Sequence, residues 1–506
     1  MNAPGAMPHT APVTSDGTPL ARVHLVGAGG AGMNAIARIL ADRGLAVSGS
    51  DAKGSHVLTG LSVRGVRTAV GHRAENLDLI DGGPTAVVVS TAIRPDNPEI
   101  LEAHRRGIPV VRRAVALAAL MVDRRSVCVA GTHGKTSTTS MLTVALQQAG
   151  LDPSFAIGGE LNESGSGAHH GSGDIFVAEA DESDGSFLAF APHGAIVMNL
   201  EPDHLDHHGT AEAYAAVFDQ FVDRIEPGGF LVACTDDPGV RALLKRVKSR
   251  PGAPRIVGYG RGADADVRLG SSTPDGHASS AEVSTADGGS SRLRLAVPGE
   301  HMLLNAVGAL AAGVLLGVDR QTMADALAGY TGVRRRFEYK GRAAGVSVYD
   351  DYAHHPTEIR VQLETARTLL PAGGRLIAVF QPHLYSRTRS FADEFAAALS
   401  IADVVVVLDV YGAREDPQPG VTGALIADRI AGPHVVFEPS FGAAAGTIAD
   451  LVRPADLVLT MGAGDVTMLG PQLLDLLANN QSAAAGAASQ ANPGAPDSDQ
   501  NPGDQP

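Results

Sequence analysis

The chain predicts an α/β fold: three consecutive α/β domains, the first and last Rossmann-like and the middle one built around a P-loop. Three observations predict it. Short apolar runs alternate with longer helical segments along most of the chain. Several of those runs lead straight into a glycine-rich turn that opens a helix. Carboxylates, histidines and arginines cluster just beyond other runs, at the edge where parallel sheets present their ligands.

The first domain is expected over residues 21–123. Val23-His24-Leu25-Val26 reads as a strand, Gly27-Ala28-Gly29-Gly30-Ala31-Gly32 as a turn, and Met33 to Arg43 as a helix. Further strands are expected at Ala46 to Asp51, Ala86 to Ser90 and Ile108 to Val111. The middle domain, 124–334, starts with the buried run Ser126 to Ala130, followed by strands at Ile175 to Ala178 and Ala195 to Met198. Residues 260–297 read as a hairpin-bearing excursion, and His301 to Leu316 as an Ala- and Leu-rich helix closed by Gly317. The third domain, 335–477, has strands expected at Val346 to Asp350, Arg375 to Phe380, Val404 to Asp409 and Leu457 to Thr460. Residues 1–20 and 478–506 carry little to bury and are expected to be disordered.

Composition narrows the function. A length of 506 residues suits two to four domains, and 55 acidic against 40 basic residues give a net charge of −15. That balance disfavours non-specific nucleic-acid binding. Two cysteines build no disulfide framework, and Cys128 lies inside an apolar run, as a small core residue would. No signal peptide or membrane-spanning run is evident, so a soluble, cytoplasmic protein is expected.

Gly131-Thr132-His133-Gly134-Lys135-Thr136-Ser137 follows a strand and opens a helix. Turn N–H groups and the positive helix end face a phosphate, Lys135 adds a charge, and the Thr136 hydroxyl reaches Mg2+. The usual spacing would need glycine where this chain has Val129, so the loop is a shortened variant. Gly27-x-Gly29-x-x-Gly32, with Asp51 downstream, imitates a dinucleotide fingerprint but accommodates any diphosphate, a nucleotide sugar as well as NAD.

Glu179-Ala180-Asp181-Glu182-Ser183-Asp184 and Glu201-Pro202-Asp203-His204-Leu205-Asp206-His207-His208 follow strands of the middle domain. Hard carboxylate oxygens favour Mg2+ shared with ATP, over the Zn2+ that the histidines could suggest. In the third domain, Asp350-Asp351-Tyr352-Ala353-His354-His355-Pro356 and Gln381-Pro382-His383-Leu384-Tyr385-Ser386-Arg387-Thr388-Arg389 stand at strand ends. Carboxylate, His and Arg together could hold a ribose, a phosphoryl group and a substrate carboxylate.

Taken in order, these motifs with Arg334-Arg335-Arg336-Phe337 resemble the Mur ligases over roughly residues 20–475. Within that family the set is most similar to the branch that adds L-alanine to UDP-N-acetylmuramate in peptidoglycan precursor synthesis. The resemblance implies ATP-dependent, ADP-forming amide synthesis through an acyl phosphate. It implies that Gly27, Gly29, Gly30 and Gly32 bind the UDP-sugar. Gly131, Thr132, His133, Gly134, Lys135, Thr136 and Ser137 would cradle ATP, with Asn305 on adenine, Arg335 on the nucleotide and Asp351 on its ribose. Thr136 and Glu179 would hold one Mg2+ and His204 a second. Tyr352, His354 and Arg387 would face the amino acid and the phosphoryl group, which makes Lys135, His204, His354 and Arg387 the catalytic candidates. No partner protein and no nucleic acid are implied.

Three departures stand out: Met302 follows His301 where the family often has Asn, Leu384 stands where some relatives carry Arg, and Ala211 to Asp223 lacks the lysine that sister ligases carbamylate. The last favours the alanine-adding branch. Three alternatives remain: a ligase adding a preformed peptide to the same nucleotide sugar in murein recycling, an NAD-dependent dehydrogenase on Gly27–Asp51, and a non-catalytic nucleotide-binding protein.

Overall fold

A computed structural model describes residues 11–490 apart from Arg414. The described residues up to Arg334 form one compact unit and those from Arg335 onward a second. The first unit holds two sheets and the second holds one.

Strands β1 (Arg22–Val26), β2 (Ala46–Asp51), β3 (Arg67–Val70), β4 (Ala86–Val89) and β5 (Val110–Arg112) form a parallel sheet in the order β3-β2-β1-β4-β5. The order reverses between β1 and β4, which opens a crevice beyond their carboxyl ends, where the Gly27–Gly32 turn lies. The helix Ala31–Asp42 buries Met33, Ile36, Ile39 and Leu40 against this sheet. That spacing is the helical stripe that a strand–turn–helix unit needs.

The middle sheet has ten strands: β6 (Arg125–Ala130), β7 (Ser154–Ala156), β8 (Ala168–His169), β9 (Ile175–Glu179), β10 (Gly194–Val197), β11 (Phe230–Cys234), β12 (Arg255–Gly260), β13 (Val267–Asp275), β14 (Ala278–Thr285) and β15 (Ser290–Leu295). Their order is β15-β14-β13-β12-β11-β10-β6-β9-β7-β8, so the strand before the P-loop is central. The expected hairpin excursion is the antiparallel run β13–β15. The helix Lys135–Gln148 is buried on nearly every side although it is rich in Ser and Thr. Three of its hydroxyls are satisfied within the helix: Thr139 donates to Lys135 O, Ser140 to Thr136 O and Thr143 to Thr139 O, at 2.7–2.8 Å. This back-bonding makes a polar helix compatible with a dry interior.

In the second unit, β16 (Glu338–Ala343), β17 (Val346–Asp351), β18 (Leu376–Phe380), β19 (Val404–Leu408), β20 (His434–Glu438) and β21 (Leu457–Met461) pair in the order β16-β17-β21-β18-β19-β20. All pairings are parallel except β16 with β17. The central strands are buried on both faces and read as unbroken Val, Leu and Ile runs.

Differences from the sequence expectations are local. The three sheets are unequal, with five, ten and six strands. The fully buried strand β11, its neighbour β12, the edge strands β3, β8, β16 and β20, and β7 beside β8 were not anticipated. Among residues expected to be disordered, 11–20 are ordered: Val13 bridges Pro19, Leu20 N donates to Pro12 O at 2.8 Å, and Leu20 is fully buried in the first core. At the other end the helix Leu469–Gln490 runs past residue 478. Its Leu473 and Leu477 are buried against the third sheet, and the Ala-rich stretch that follows has high helix propensity. Residues 1–10 and 491–506 lie outside the described residues.

Candidate active site

The first turn is built by exchange between β1 and β2. Gly27 (φ 82°) and Ala28 both donate to Ser50 O at 2.8 Å, and Gly29 N donates to Asp51 Oδ2 at 2.9 Å. A Cβ on Gly29 would lie 2.8 Å from the same oxygen, so the glycine is needed for close approach. Asp51 thereby joins the end of β2 to the turn through one of its two carboxylate oxygens. Gly30 caps the helix, and Gly32 lies under the side chain of Arg113.

Beneath this turn is a buried polar cluster. Glu99 is fully buried, and its carboxylate accepts from Ser50 Oγ (2.7 Å) and from Asn76 Nδ2; His72 Nδ1 lies 3.1 Å away and His24 Nε2 3.7 Å. Burial pushes the carboxyl up, but nearby His24 and the hydrogen bonds from Asn76 and Ser50 outweigh it and hold the pKa at about 2. Because Ser50 O also receives both turn N–H groups, the cluster anchors the Gly27–Gly32 turn through β2.

The second turn follows β6. Gly131 (φ 144°) and Gly134 (φ 79°) take backbone conformations that L side chains avoid. A Cβ on Gly134 would also meet Met198 Cε at 2.7 Å and Asn305 Nδ2 at 3.2 Å. Asn305, reached from the helix Glu300–Leu315, thus stands against the loop. Asn199 clamps the turn: His133 N donates to its Oδ1 at 2.7 Å and its Nδ2 donates to His133 O at 3.0 Å. Thr132 Oγ1 donates to Glu201 O at 2.9 Å and lies 3.0 Å from Tyr214 OH. His133 Nε2 lies 3.3 Å from Glu201 Oε2. Ser137 is buried in the first helical turn.

Lys135 Nζ donates to Gly131 O at 2.7 Å and to Glu182 Oε1 at 2.9 Å. Burial pulls this ammonium down, while Glu182 and Asp181 push it up by more, so it stays charged. Burial raises the Glu182 carboxyl to about 7 against the pull of Lys135. Thr136 Oγ1 donates to Glu179 Oε1 at 3.2 Å, and Glu179 Oε2 accepts from Gly158 N at 2.8 Å. A hydroxyl beside a carboxylate is a hard-oxygen donor set suited to Mg2+ at a nucleotide phosphate. His204 takes a left-handed conformation (φ 51°), with its N–H on Asp203 Oδ1 and its Nε2 3.6 Å from Asp203 Oδ2.

In the second unit the loops after β17, β18 and β21 meet at one sheet edge. Arg335 Nη2 donates to Gly462 O (2.7 Å) and Gly464 O (3.0 Å), and Tyr352 N donates to Arg335 O at 2.7 Å. The guanidinium carbons of Arg335 and Arg336 lie 4.8 and 5.1 Å from the Tyr352 ring centre. Tyr352, His354, His383 and Tyr411 form a chain of ring contacts, with centroids 5.3–6.0 Å apart. Arg387 is buried and its charge is felt at His354. Burial, with that charge, depresses the imidazolium of His354 to about 3. Its Nδ1–H donates to Tyr352 O at 3.0 Å, which leaves Nε2 as an acceptor.

Asp351 differs from its expected role. It is fully buried, and its two oxygens accept from Phe337 N and Ala353 N, both at 2.7 Å. Burial raises its pKa to about 7. The group orders the loop from inside and presents no free oxygen to a ribose. Sequence reasoning assigned no role to Glu182, Asn199, Tyr214, Glu99 or Arg113. Glu182 lay in a motif already noticed, whereas the others carry no local signal, because each acts across strands distant in sequence.

Residues 22–125 match the model of the Mur ligase family catalytic domain, 129–313 the Mur ligase middle domain, and 335–464 the Mur ligase glutamate ligase domain. The chain is 62% identical to UDP-N-acetylmuramate–L-alanine ligase of Saccharopolyspora erythraea, over 90% of this chain and 93% of that one. It is 56% identical to the Mycolicibacterium smegmatis protein of the same name, over 90% and 95%. The crystal structure of UDP-N-acetylmuramate-alanine ligase from Thermotoga maritima is similar with a TM-score of 0.76 at 28% identity, covering 91% of this chain and 99% of that one. A murein peptide ligase from Psychrobacter arcticus is similar with a TM-score of 0.66 at 26% identity, over 90% and 99%. On its three matched domains and these identities, the chain belongs to the Mur ligase family.

Proposed function

We propose that this chain is an ADP-forming ligase that joins L-alanine to the carboxylate of UDP-N-acetylmuramate at the expense of ATP, in peptidoglycan precursor synthesis. One observation carries the reading. A glycine turn at the head of a parallel sheet and a lysine-bearing phosphate loop lie in one unit, in a chain 62% identical to a protein of that name. The family membership sets the dehydrogenase alternative aside.

In the first step a substrate carboxylate oxygen attacks the γ-phosphorus of ATP, and ADP leaves. Lys135 and the N–H groups of Gly131–Ser137 offset charge on the transferring phosphoryl. Mg2+, when bound, would neutralise the same oxygens; Thr136 and Glu179 would hold one ion and His204 a second. Asn305 would recognise adenine and Arg335 the nucleotide. In the second step the amine of L-alanine attacks the acyl carbon, and phosphate leaves with the bonding pair. Neutral His354 offers Nε2 as a hydrogen-bond acceptor that orients the amine, whose proton leaves on the departing phosphate; Arg387 takes the substrate carboxylate or phosphoryl oxygens, and Tyr352 borders the amino acid. No helix among the described residues is long and apolar enough to cross a membrane, which suits soluble substrates of the cytoplasm.

The test is phosphate release from ATP with Mg2+ and UDP-N-acetylmuramate, with and without L-alanine. Release that needs both, with a new UDP-muramoyl-alanine mass, is expected. Turnover with a peptide but with no small amino acid would move the assignment to the peptide-adding branch. Silence with both would overturn it.

A further inference from the structure

Arg113 opens the helix Arg113–Met121 directly after β5, at the same sheet edge as the Gly27–Gly32 turn. Its side chain lies across that turn: a Cβ on Gly32 would come within 2.6 Å of Nη1, 3.1 Å of Cδ and 3.4 Å of Cζ. The third glycine of the fingerprint is thus the space that Arg113 occupies. On its other side, Arg113 Nη2 lies 3.6 Å from Asp181 Oδ2. Asp181 precedes Glu182, the partner of Lys135 at 2.8 Å. The guanidinium therefore stands between the diphosphate turn and the phosphate loop.

The contacts of Arg113 are unlike those of nearby arginines. Arg38 donates to Ser166 Oγ, and Arg43 donates to Leu120 O at 2.7 Å; both join elements of the fold. At 3.6 Å the pair with Asp181 is an ion pair beyond hydrogen-bond length, and both side chains are partly exposed, 27% and 43%. A planar fork of five donors beside a helix N-terminus suits phosphoryl and carboxylate oxygens.

We propose that Arg113 is the side-chain cation of the nucleotide-sugar site, binding an oxyanion of the substrate that rests on the Gly27–Gly32 turn, with Asp181 holding the guanidinium in place. The assignment rests on the ligase reading and deepens it. Two oxyanions of the same molecule meet this chemistry: the diphosphate, and the lactyl carboxylate on its way to Lys135.

Calorimetric binding of UDP, UDP-N-acetylglucosamine and UDP-N-acetylmuramate to the full chain and to Arg113→Met separates them. The variant keeps the stem that packs on Gly32 and removes the charge. A rise in Kd of about 10- to 100-fold is expected, the size of a lost charged hydrogen bond or two. A rise for all three ligands identifies the diphosphate, and a rise for UDP-N-acetylmuramate alone identifies the carboxylate. Arg113→Lys should recover part of the affinity, because the charge returns without the fork. Asp181→Asn should weaken binding by less than Arg113→Met. ATP affinity and the thermal midpoint of each variant, measured alongside, report folding. Unchanged Kd values for all three ligands in a folded Arg113→Met would overturn the assignment of Arg113 alone. Wild-type protein that binds none of them would overturn the ligase reading with it.

Discussion

On the ligase reading, the two glycine turns of the first unit share one task, holding phosphates at a helix N-terminus, and they are built with opposite electrostatics. Around Gly131–Lys135 the cation is part of the turn, and carboxylates surround it: Glu182 on Lys135, Glu179 on Thr136, Asp181 beyond. Around Gly27–Gly32 the turn carries no charge of its own. A carboxylate, Asp51, is pinned beneath it, and its cation, Arg113, arrives from another helix. A turn that must move a phosphoryl group needs a fixed charge where charge shifts, together with oxygens for a metal. A turn that only holds a diphosphate needs neither.

The largest effect expected from breaking this contrast is that of Lys135→Ala. Turnover should fall by on the order of 10^2- to 10^3-fold or more, the loss typical of removing one oxyanion-stabilising group. UDP-N-acetylmuramate affinity should stay within about twofold. Steady-state kinetics and calorimetry on one preparation check both. Equal loss of both would mean that the two turns have been assigned the wrong ligands.

The supports of the turns differ as well, and pH exposes the difference. Glu99 is held ionised at about 2 from an ordinary 4.5, so its contacts with nearby His24 and its bonds to Ser50 and Asn76 stabilise the fold above pH 4.5. That stability is lost as pH falls from about 4.5 to 2, because the unfolded carboxylate takes up its proton first. The shift corresponds to about 3 kcal/mol. Unfolding free energy measured at pH 5 and pH 3 should drop more in the wild type than in Glu99→Gln, by about 2 kcal/mol of that total. Parallel curves would remove Glu99 as the anchor of the first turn.

How far the sequence reaches follows from the same comparison. Buried central strands such as Val404–Leu408 and both turns are written locally, as apolar runs and glycine spacing, and they stand where expected. Strand Phe230–Cys234 is equally apolar but follows a Pro-Gly-Gly turn with no motif beside it, and it went unread. Leu20 looked like the end of a polar tail because its burial depends on a core formed by later residues. The Asp351 carboxylate was visible as a strand-end acid. Which way it faces is set by the N–H groups of Phe337 and Ala353 and by no pattern in the sequence. Residues that touch ligands announce themselves by type and spacing. Residues that aim them, such as Glu99 and Asn199, are separated from their partners by tens of residues.

The smallest effects come from the glycines themselves, and they distinguish strain from space. Gly134 has φ 79°, and a methyl group there meets Met198 Cε at 2.7 Å. Gly134→Ala should therefore destabilise the fold by about 1–3 kcal/mol. Gly30 has φ −69°, and a methyl group there meets only Gly27 O at 3.5 Å, an ordinary contact. Gly30→Ala should leave the thermal midpoint nearly unchanged, within about 0.5 kcal/mol. Its effect should fall on the ligand, because a methyl group at the helix N-cap occupies the side from which a diphosphate approaches the N–H groups. A UDP-N-acetylmuramate Kd raised about tenfold with an unaltered melting curve is the expected pair of results. A lowered melting point would show that the fold itself needs a glycine there. Unaltered affinity would move the diphosphate off the helix N-terminus and toward Arg113, so this substitution and Arg113→Met divide the oxyanion contacts between backbone and side chain.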